Sequence, residues 1–271
     1  MQKHNGVNGK KILVVDDVEI NQQLAFHIME SWGCSVDIAS DGLAGLEKLQ
    51  QAAYDLVLMD LQMPLMDGME ATRRIRGMND RCKSTVPVVA LTANPGKEVY
   101  QHCVEAGMDD CLSKPFTERE LLAVVQKNLG KKRPGGPVAE EGCTEKQAAQ
   151  SVPESGLQEP LYDLSLIAAI SGGDPTFVGK MLQLFLETVP ATLTGLSTAV
   201  EDGSWQAAGK LAHKLKSTID SMGIASLKET IRRIEKEAPQ AGNPEAIIQM
   251  TREVVDMMHA VMARVKEDHG L

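Results

Sequence analysis

Aromatic residues are scarce in this 271-residue chain, where Trp, Tyr and Phe together make up 3% of the sequence. Any hydrophobic core must therefore be built from Leu, Ile, Val, Ala and Met, within an ordinary hydrophobic content of 43%. Basic residues are also in the minority, since the net charge is −9 and acidic residues exceed basic ones in both halves. Duplex nucleic acid requires a basic surface, so no nucleic-acid partner is predicted.

Long apolar runs and paired cysteines are missing too. No run reaches the roughly 18 apolar residues of a membrane span, and the N-terminal MQKHNGVNGKK lacks the apolar core of a signal peptide. The five cysteines are odd in number and form no CxxC pair, which argues against a zinc site or a disulfide framework. The sequence therefore predicts reduced thiols in a cytoplasmic protein without direct membrane insertion.

Residues 11–130 alternate between short apolar runs and helical patterns. The predicted strands are Ile12–Val15, Val36–Ala39, Leu56–Met59, Val86–Leu91 and Cys111–Ser113. The predicted helices lie between and after them, near residues 19–32, 41–51, 67–77, 96–106 and 117–129. Five such units predict an α/β domain with a parallel sheet and helices on both of its faces.

The rest of the chain changes character twice. Residues 131–159 are rich in Pro and Gly and have no helical or strand period, which predicts a flexible linker. From Leu161 onward the pattern is helical, near residues 163–170, 175–189, 191–201, 204–221, 224–237 and 244–266, with breaks predicted at Gly172-Gly173, Pro190, Gly203, Gly223 and Pro239–Pro244. The expected organisation is a disordered N-terminus (1–9), an α/β domain (10–130), a linker (131–159) and an antiparallel helical bundle (160–271).

Polar side chains cluster at the carboxyl ends of the predicted strands. Asp16 and Asp17 follow the first strand, Asp60 ends the third, Thr92 follows Leu91 on the fourth, and Lys114 comes after the fifth. Each alone is often a turn former or a helix cap. Together, however, three carboxylates repel one another unless a cation lies among them. Hard oxygen ligands suit Mg²⁺, and a phosphoryl group could then be transferred to Asp60 as nucleophile.

Other phosphate chemistries fit the sequence less well. The segment GVNGKK at Gly6–Lys11 has two residues between its glycines where a P-loop needs four, and it precedes a strand. No GxGxxG follows any strand, so a dinucleotide site is unsupported. A dehalogenase-type phosphatase would need its nucleophile in a DxD arrangement on the first strand, where this chain has Asp16-Asp17-Val18.

Four motifs in order, ILVVDD, VLMDLQMPLMDG, ALTAN and LSKPF, resemble the response-regulator receiver family over about residues 10–130. The resemblance implies a flavodoxin-like sheet of order 2-1-3-4-5 and phosphorylation of Asp60. It implies Mg²⁺ held by Asp17, Asp60 and the backbone carbonyl of Gln62, with Asp16 assisting, and a phosphoryl group contacted by Thr92 and Lys114. One departure is that Cys111-Leu112-Ser113 stands where family members often carry an aromatic switch residue.

His213 has the most informative setting of the six histidines. At about 100° per residue it lies about 140° from the centre of the apolar arc of its helix, which predicts that it faces solvent. Lys210 and Lys216 stand three residues away on either side, and Gly209 and Ser217 stand four residues away. The small residues could make room for a docking partner and the lysines could steady a phosphoryl group. The alternative is an ordinary surface histidine.

The segment AHKLKSTIDSMG, with LSLIAAISGGDPTFVGKMLQLFLETVP upstream, is similar to the histidine phosphotransfer (Hpt) family over about residues 161–266. That resemblance implies a four-helix bundle core with His213 as the phosphoacceptor. The family often has Gly at the position of Ser217, and a small residue is kept here.

Two phosphoacceptors on one chain predict a two-component phosphorelay protein. In this hypothesis, phosphoryl groups move among an upstream histidine kinase, Asp60, His213 and a downstream response-regulator receiver. The sequence has no candidate ATP-binding kinase domain, so the chain is predicted to transfer phosphoryl groups that another protein or a small phosphodonor supplies. The alternative function is a regulatory interaction module, in which phosphorylated Asp60 changes domain contacts and His213 is a docking surface or phosphate sink.

Overall fold

The structure, a computed structural model, describes residues 6–93, 96–129 and 160–271. Its N-terminal part contains a five-stranded parallel sheet of order β2-β1-β3-β4-β5. The strands are β1 (Lys11–Val15), β2 (Ser35–Ala39), β3 (Leu56–Asp60), β4 (Val88–Thr92) and β5 (Asp110–Ser113). Every residue of β3 and β4 is buried, as expected for continuously apolar strands covered on both faces. The predicted flavodoxin-like order is confirmed.

Helices cover both faces of the sheet. They are α1 (Glu19–Ser31), α2 (Gly42–Gln51), α3 (Gly68–Arg76), the short α4 (Arg81–Ser84), α5 (Lys97–Ala106) and α6 (Glu118–Asn128). Successive strand residues point to opposite faces: Ile12 and Val14 join the hydrophobic cluster under α1 and α6, whereas Leu13 and Val15 join the cluster under α2, α3 and α5. We call this part, residues 6–129, the sheet domain.

The N-terminal residues are more ordered than predicted. Residues 6–9, which fell within the predicted disordered terminus of 1–9, form a turn against the sheet domain. Val7 is fully buried there, and the Gly9 N–H donates a hydrogen bond of 2.9 Å to the Gly33 carbonyl. The burial of one apolar side chain is enough to order so short a segment. Residues 1–5 and the predicted linker, 131–159, lie outside the described residues.

The C-terminal part is a helical bundle. Its helices are α7 (Ser165–Ile170), α8 (Pro175–Glu201), α9 (Trp205–Ser221), α10 (Lys228–Glu237) and α11 (Pro244–His269), with short 3₁₀ turns on either side of α10. Helix α9 packs against α8 and α10, and α11 closes the bundle against the same two helices. The predicted helical bundle is confirmed. Within the described ranges no helix, including the 27-residue α8, combines the length and apolar composition needed to cross a membrane.

Helix α8 continues through Pro190, so the predicted break at that residue is wrong. A proline inside a helix removes one backbone hydrogen bond. Here the proline side chain is exposed, while Phe185, Val189, Leu193 and Leu196 form one buried stripe that runs past it. Because the two halves share a buried face, packing against the bundle core outweighs the lost hydrogen bond.

The cysteines depart from the sequence prediction at one position. Cys34, Cys82 and Cys103 are free thiols, but Cys111 is disulfide-bonded, so the expectation of reduced thiols is wrong for it. Burial raises the pKa of the Cys34 and Cys103 thiols to about 11. Both are therefore protonated and unreactive near neutral pH.

The sheet domain and the bundle are in contact. Helix α1 packs against α7, α8 and α9, and residues of both parts belong to one hydrophobic cluster. The Ser221 hydroxyl lies 3.4 Å from Asn21 Oδ1, to which it donates. The rings of His27 and Phe177 stack with their centroids 3.8 Å apart. This contact brings α9, which carries His213, to the edge of the sheet where the strands end.

Candidate phosphoacceptor sites

Three carboxylates meet at the carboxyl edge of the sheet. Asp16 and Asp17 follow β1 and Asp60 ends β3, and one oxygen from each lies within 4.8 Å of the others. Lys114, just after β5, donates hydrogen bonds to Asp16 Oδ2 (3.0 Å) and to Asp60 Oδ2 (2.5 Å). The topology explains the cluster, because β1, β3 and β5 are parallel and end at the same edge.

Burial and the repulsion between carboxylates shift the pKa values of this cluster. Burial raises the pKa of Asp16 to about 6, with Lys114 opposing the rise and Asp60 adding to it. Burial and then Asp60 raise the pKa of Asp17, while the charges of His213 and Lys114 lower it. Burial by itself would lower the pKa of Lys114, but Asp16 and Asp60 outweigh it and the pKa is raised. One lysine thus compensates only part of the carboxylate charge.

The loop after β3 is fitted tightly around Asp60. The Gln62 N–H donates to Asp60 Oδ1 at 3.3 Å. A Cβ at Gly68 would lie 2.1 Å from the Asp60 carbonyl oxygen, so only glycine allows α3 to begin this close to the strand end. Thr92 is buried at the end of β4, beside Ser113 of β5. The structure therefore brings Thr92 and Gln62 to the same edge as the carboxylates, as predicted from the sequence.

Asn21 is a member of this site that the sequence prediction missed. It is buried on the first turn of α1, and its amide group donates to Asp16 Oδ1 at 3.3 Å. Its Oδ1 accepts from Ser221 of α9. One side chain thus connects the acidic cluster with the helix that carries His213. Its spacing from Asp16 carried no signal, because the contact depends on how α1 turns back over the sheet.

His213 is held by a carboxylate from another helix. Its Nδ1 lies 2.6 Å from Glu235 Oε1 on α10, and Lys216 Nζ donates to both Glu235 oxygens at 2.6 and 2.8 Å. Burial would raise the pKa of Glu235, but the hydrogen bonds from His213 and Lys216 outweigh it and lower the pKa. An ionised carboxylate only accepts, so Nδ1 donates to Glu235, and in the neutral ring the free lone pair is then on Nε2. That Nε2 is buried with no hydrogen-bond partner.

The predicted exposure of His213 is wrong. The residue is 8% exposed, although its position on α9 lies away from the bundle core. Glu235 of α10 and Lys216 lie against its ring, and α9 also packs against α1 of the sheet domain. The helical phase was correct, but the sequence could not show what covers that face.

The four residues around His213 have different surroundings. Lys210 is exposed, whereas Lys216 is buried and bound to Glu235. A Cβ at Gly209 would lie 2.5 Å from Pro239 Cγ, so the space beside Gly209 is filled by its own bundle. Ser217 lines a narrow cleft at the contact with the sheet domain. Of the two small residues, only Ser217 therefore lies at the contact with the sheet domain.

Glu235 was missed by the sequence prediction for a physical reason. It stands 22 residues beyond His213 on another helix, and only the packing of α10 on α9 brings the two together. A Glu on an amphipathic helix rich in charge gives no signal by itself. Only the three-dimensional structure shows that Glu235 contacts His213.

The sheet order, the acidic cluster with its lysine, and the histidine on a helical bundle define the class of protein: a two-component phosphorelay protein. The family model described as the response regulator receiver domain matches residues 12–126, and the Hpt domain model matches residues 180–264. The chain therefore contains a receiver domain followed by an Hpt domain. Asp60 and His213 each lie within the matched residues.

Two curated relatives match most of this chain. The chain is 31% identical over 227 residues to the sensor histidine kinase GacS of Pseudomonas protegens, covering 83% of this chain and 24% of that protein. It is 28% identical over 225 residues to the aerobic respiration control sensor protein ArcB of Escherichia coli, covering 83% and 27%. The chain thus spans about a quarter of the length of these relatives.

Among solved structures, the chain is similar to the receiver domain of the sensor histidine kinase PA1611 from Pseudomonas aeruginosa. The two are 37% identical, the match covers 45% of this chain and 98% of that one, and the TM-score is 0.42. That structure has a magnesium ion coordinated in its active site cleft.

Proposed function

We propose that this chain is a phosphorelay intermediate that accepts a phosphoryl group on Asp60 and carries it on His213. The observation that carries the proposal is the unpartnered Nε2 of His213, which is buried on α9, the helix that packs against α1 of the receiver. A buried polar atom without a partner is costly, so its retention there calls for an explanation. A nucleophilic nitrogen kept free for a phosphoryl group provides one.

In the first step, an Asp60 carboxylate oxygen attacks the phosphorus of a donor. Asp60 is 2% exposed and its Oδ2 already accepts from Lys114. The bond that breaks is the P–N bond to a kinase phosphohistidine or the P–O bond to acetyl phosphate, and negative charge remains on the transferred phosphoryl oxygens. Lys114 and Thr92 are placed to contact those oxygens, so the residues contribute mainly positioning and charge neutralisation.

The acidic cluster fits a Mg²⁺ ion, which we propose is held by Asp17, Asp60 and the backbone carbonyl of Gln62, with Asp16 assisting. Two observations support this fit. Asp17 Oδ1 is buried without a hydrogen-bond partner, and the crowded carboxylates raise the pKa values of Asp16 and Asp17 in addition to the effect of burial. When bound, Mg²⁺ supplies positive charge opposite the phosphoryl oxygens.

In the second step, His213 Nε2 attacks the phosphorus of the aspartyl phosphate. A P–N bond forms, the P–O bond to Asp60 breaks, and the Asp60 carboxylate is regenerated. The imidazole ring becomes positively charged, and Glu235, which accepts from Nδ1, stabilises that charge. Both phosphoryl bonds are activated, so the reaction is near balance and can run in either direction.

The proposed partners are an upstream histidine kinase and a downstream response-regulator receiver. GacS, which matches 83% of this chain, is a sensor histidine kinase, which supports a kinase as the source of the phosphoryl group. The receiver and Hpt domains imply a kinase and a receiver as partners in general. Measuring phosphoryl transfer from a panel of kinases and to a panel of receivers would identify both partners.

The test uses the full chain, labelled acetyl phosphate and Mg²⁺. We expect label first as a base-labile aspartyl phosphate and then as an acid-labile, base-stable phosphohistidine. With acetyl phosphate alone, the Asp60→Asn variant should show neither aspartyl phosphate nor phosphohistidine. Its His213 should still be labelled when a second chain, which carries His213→Gln and is phosphorylated on Asp60, is added as donor. Equal labelling of His213 in Asp60→Asn by acetyl phosphate alone would refute the route through Asp60. If His213 never becomes labelled, the regulatory-module function replaces the relay.

Glu235→Gln is expected to slow phosphoryl uptake by His213. The substitution keeps the side-chain size but replaces a charge-assisted hydrogen bond worth about 1.5–3 kcal/mol, which corresponds to a fall in rate of about 10- to 100-fold. Single-turnover transfer from phosphorylated Asp60 measures the effect. Glu229→Gln, an exposed change on the same helix, is the matched control. Similar rates in the two variants would show that Glu235 does not position the imidazole.

A further inference from the structure

Two neighbouring amide side chains at the start of α1 are buried beside the acidic cluster. Asn21 and Gln22 are each 8% exposed. Burying a polar amide is costly unless the amide is hydrogen-bonded, so the partners of these two side chains show what they are kept for. In the first turn of a helix, such side chains commonly bond the free backbone groups of their own helix. Here both amides instead donate to one residue outside the helix, Asp16.

Asn21 holds the side chain of Asp16. Its amide group donates to both carboxylate oxygens, at 3.3 Å to Oδ1 and at 3.4 Å to Oδ2. The Val18 N–H donates to the same Oδ1 at 2.9 Å, and Lys114 donates to Oδ2 at 3.0 Å. The carboxylate is therefore contacted by donors from α1, from the turn before α1 and from the chain after β5, and these donors together set its orientation.

Gln22 holds the peptide group that joins Asp16 to Asp17. Its amide donates to the Asp16 backbone carbonyl at 2.5 Å. Since a peptide group is planar, fixing that carbonyl also fixes the direction in which the chain enters Asp17. Asp17 Oδ1 is buried without a hydrogen-bond partner among the described residues. One amide thus acts on the Asp16 carboxylate, and its neighbour acts on the backbone that places Asp17.

Both donors are neutral, which matters in a site that attracts a cation. An amide donates a hydrogen bond without adding charge, whereas an ammonium group adds a full positive charge. Lys114 already brings one such charge to the three carboxylates. A cationic side chain in place of Asn21 would compensate more of the negative charge and weaken the attraction for Mg²⁺. Amides at both positions orient the carboxylates and leave their charge available to the metal.

We propose that Asn21 and Gln22 are positioning residues of the magnesium site, which orient Asp16 and Asp17 for the ion. The inference rests on the proposed function, since it concerns the same metal site. Side chains that hold a metal ligand in place contribute about 10- to 100-fold to metal affinity. The Asn21 hydrogen bonds are long, at 3.3 and 3.4 Å, so we expect a contribution near the lower end of that range.

The first readout is Mg²⁺ binding to the full chain, measured by isothermal titration calorimetry without a phosphodonor. Asn21→Ala removes the donor to the Asp16 carboxylate and should raise the Kd for Mg²⁺ by about tenfold. Gln22→Met removes the donor to the Asp16 carbonyl while keeping a similar volume in a buried place, and it should raise the Kd by about three- to tenfold. Gln23→Ala, an exposed change on the same helix, is the matched control.

Ser221→Ala separates the two bonds of the Asn21 side chain. It removes the bond in which Ser221 donates to Asn21 Oδ1 and leaves both bonds to Asp16, so its Kd should be close to that of Gln23→Ala. A Kd raised as much as in Asn21→Ala would mean that the effect comes through the bundle, and the positioning role would be overturned. Melting with a chelator shows whether each variant is folded. If Asn21→Ala is unfolded at the temperature of the titration, Gln22→Met decides.

The second readout separates positioning from the chemical step. The Mg²⁺ concentration that gives half-maximal phosphorylation by acetyl phosphate should rise in Asn21→Ala by about tenfold, as the Kd does. The rate at saturating Mg²⁺ should fall by a smaller factor, because the amide donates to Asp16 and Lys114 still donates to Asp60. A lower rate at saturating Mg²⁺ with an unchanged half-saturating concentration would overturn the inference.

The calorimetry also distinguishes a failure of this inference from a failure of the proposed function. If the unsubstituted protein binds Mg²⁺ and the folded variants bind it with the Kd of Gln23→Ala, the positioning role is wrong and the proposed metal site stands. If the unsubstituted protein binds no Mg²⁺, the proposed metal site is wrong and the positioning role fails with it.

Discussion

Replacing His213 with Gln is expected to trap the phosphoryl group on the receiver. Gln has a similar size but no nucleophilic nitrogen, so the P–N bond cannot form. We expect all label from acetyl phosphate to be base-labile. We also expect transfer from the Hpt domain to another receiver to fall by about three orders of magnitude or more, as when a nucleophile is removed elsewhere. The aspartyl phosphate should last longer, because its acceptor within the chain is gone.

Acid and base treatment of the labelled chain, followed by peptide mapping, measures this result. His259→Gln is the matched control, since His259 is an exposed histidine on α11 of the same bundle and its loss should leave the label distribution unchanged. Acid-labile label that persists in His213→Gln would mean that another histidine accepts the phosphoryl group, and His213 would then lose its proposed role.

The sheet-domain site was predictable because its pattern is local in sequence. Four of the five strands, all except β2, end in or are followed by a polar residue of the site. The rule that parallel strands end at one edge then brings Asp17, Asp60 and Lys114 together without any knowledge of tertiary packing. The structure places them as expected. Asn21 was not predicted, because its partners are Asp16, across a turn of the chain, and Ser221, on the other domain.

The bundle site was less predictable because it depends on packing between helices. Helical phase places His213 on the noncore side of α9, but it does not show that the ring lies against a carboxylate of another helix. Glu235 belongs to α10, and Gly209 faces Pro239 instead of a partner. The continuation of α8 through Pro190 likewise depends on packing, because a stripe of buried residues runs on both sides of the proline.

The two acceptors have contrasting electrostatic settings. Asp60 lies among excess negative charge, for which Lys114 compensates in part. His213 Nδ1 faces a carboxylate that is itself bound to Lys216. Phosphorylation adds negative charge to the first site, which favours a cation there, and makes the His213 ring positive, which favours Glu235. Each site thus has the surrounding charges that its proposed phosphorylated form requires.

Asp17→Asn is expected to abolish most phosphorylation of Asp60. Asp17 offers a buried carboxylate oxygen without a partner, and an amide is a much weaker ligand for Mg²⁺ than a carboxylate. Loss of the metal removes several kcal/mol of charge stabilisation, so the rate with acetyl phosphate should fall by about two orders of magnitude or more. Glu47→Gln, which removes one exposed negative charge from α2, should leave the rate unchanged.

The same variant separates loss of metal from loss of fold. The pKa of Asp17 is raised, first by burial and then by Asp60, so in the folded protein its ionised form is disfavoured relative to the unfolded chain. Above that pKa, a neutral Asn removes an unfavourable charge, and the chelator-treated Asp17→Asn protein should melt no lower than the unsubstituted protein. Added Mg²⁺ should raise the melting temperature of the unsubstituted protein only. Phosphorylation of Asp17→Asn at the normal rate, with unchanged dependence on Mg²⁺, would contradict the proposed metal site.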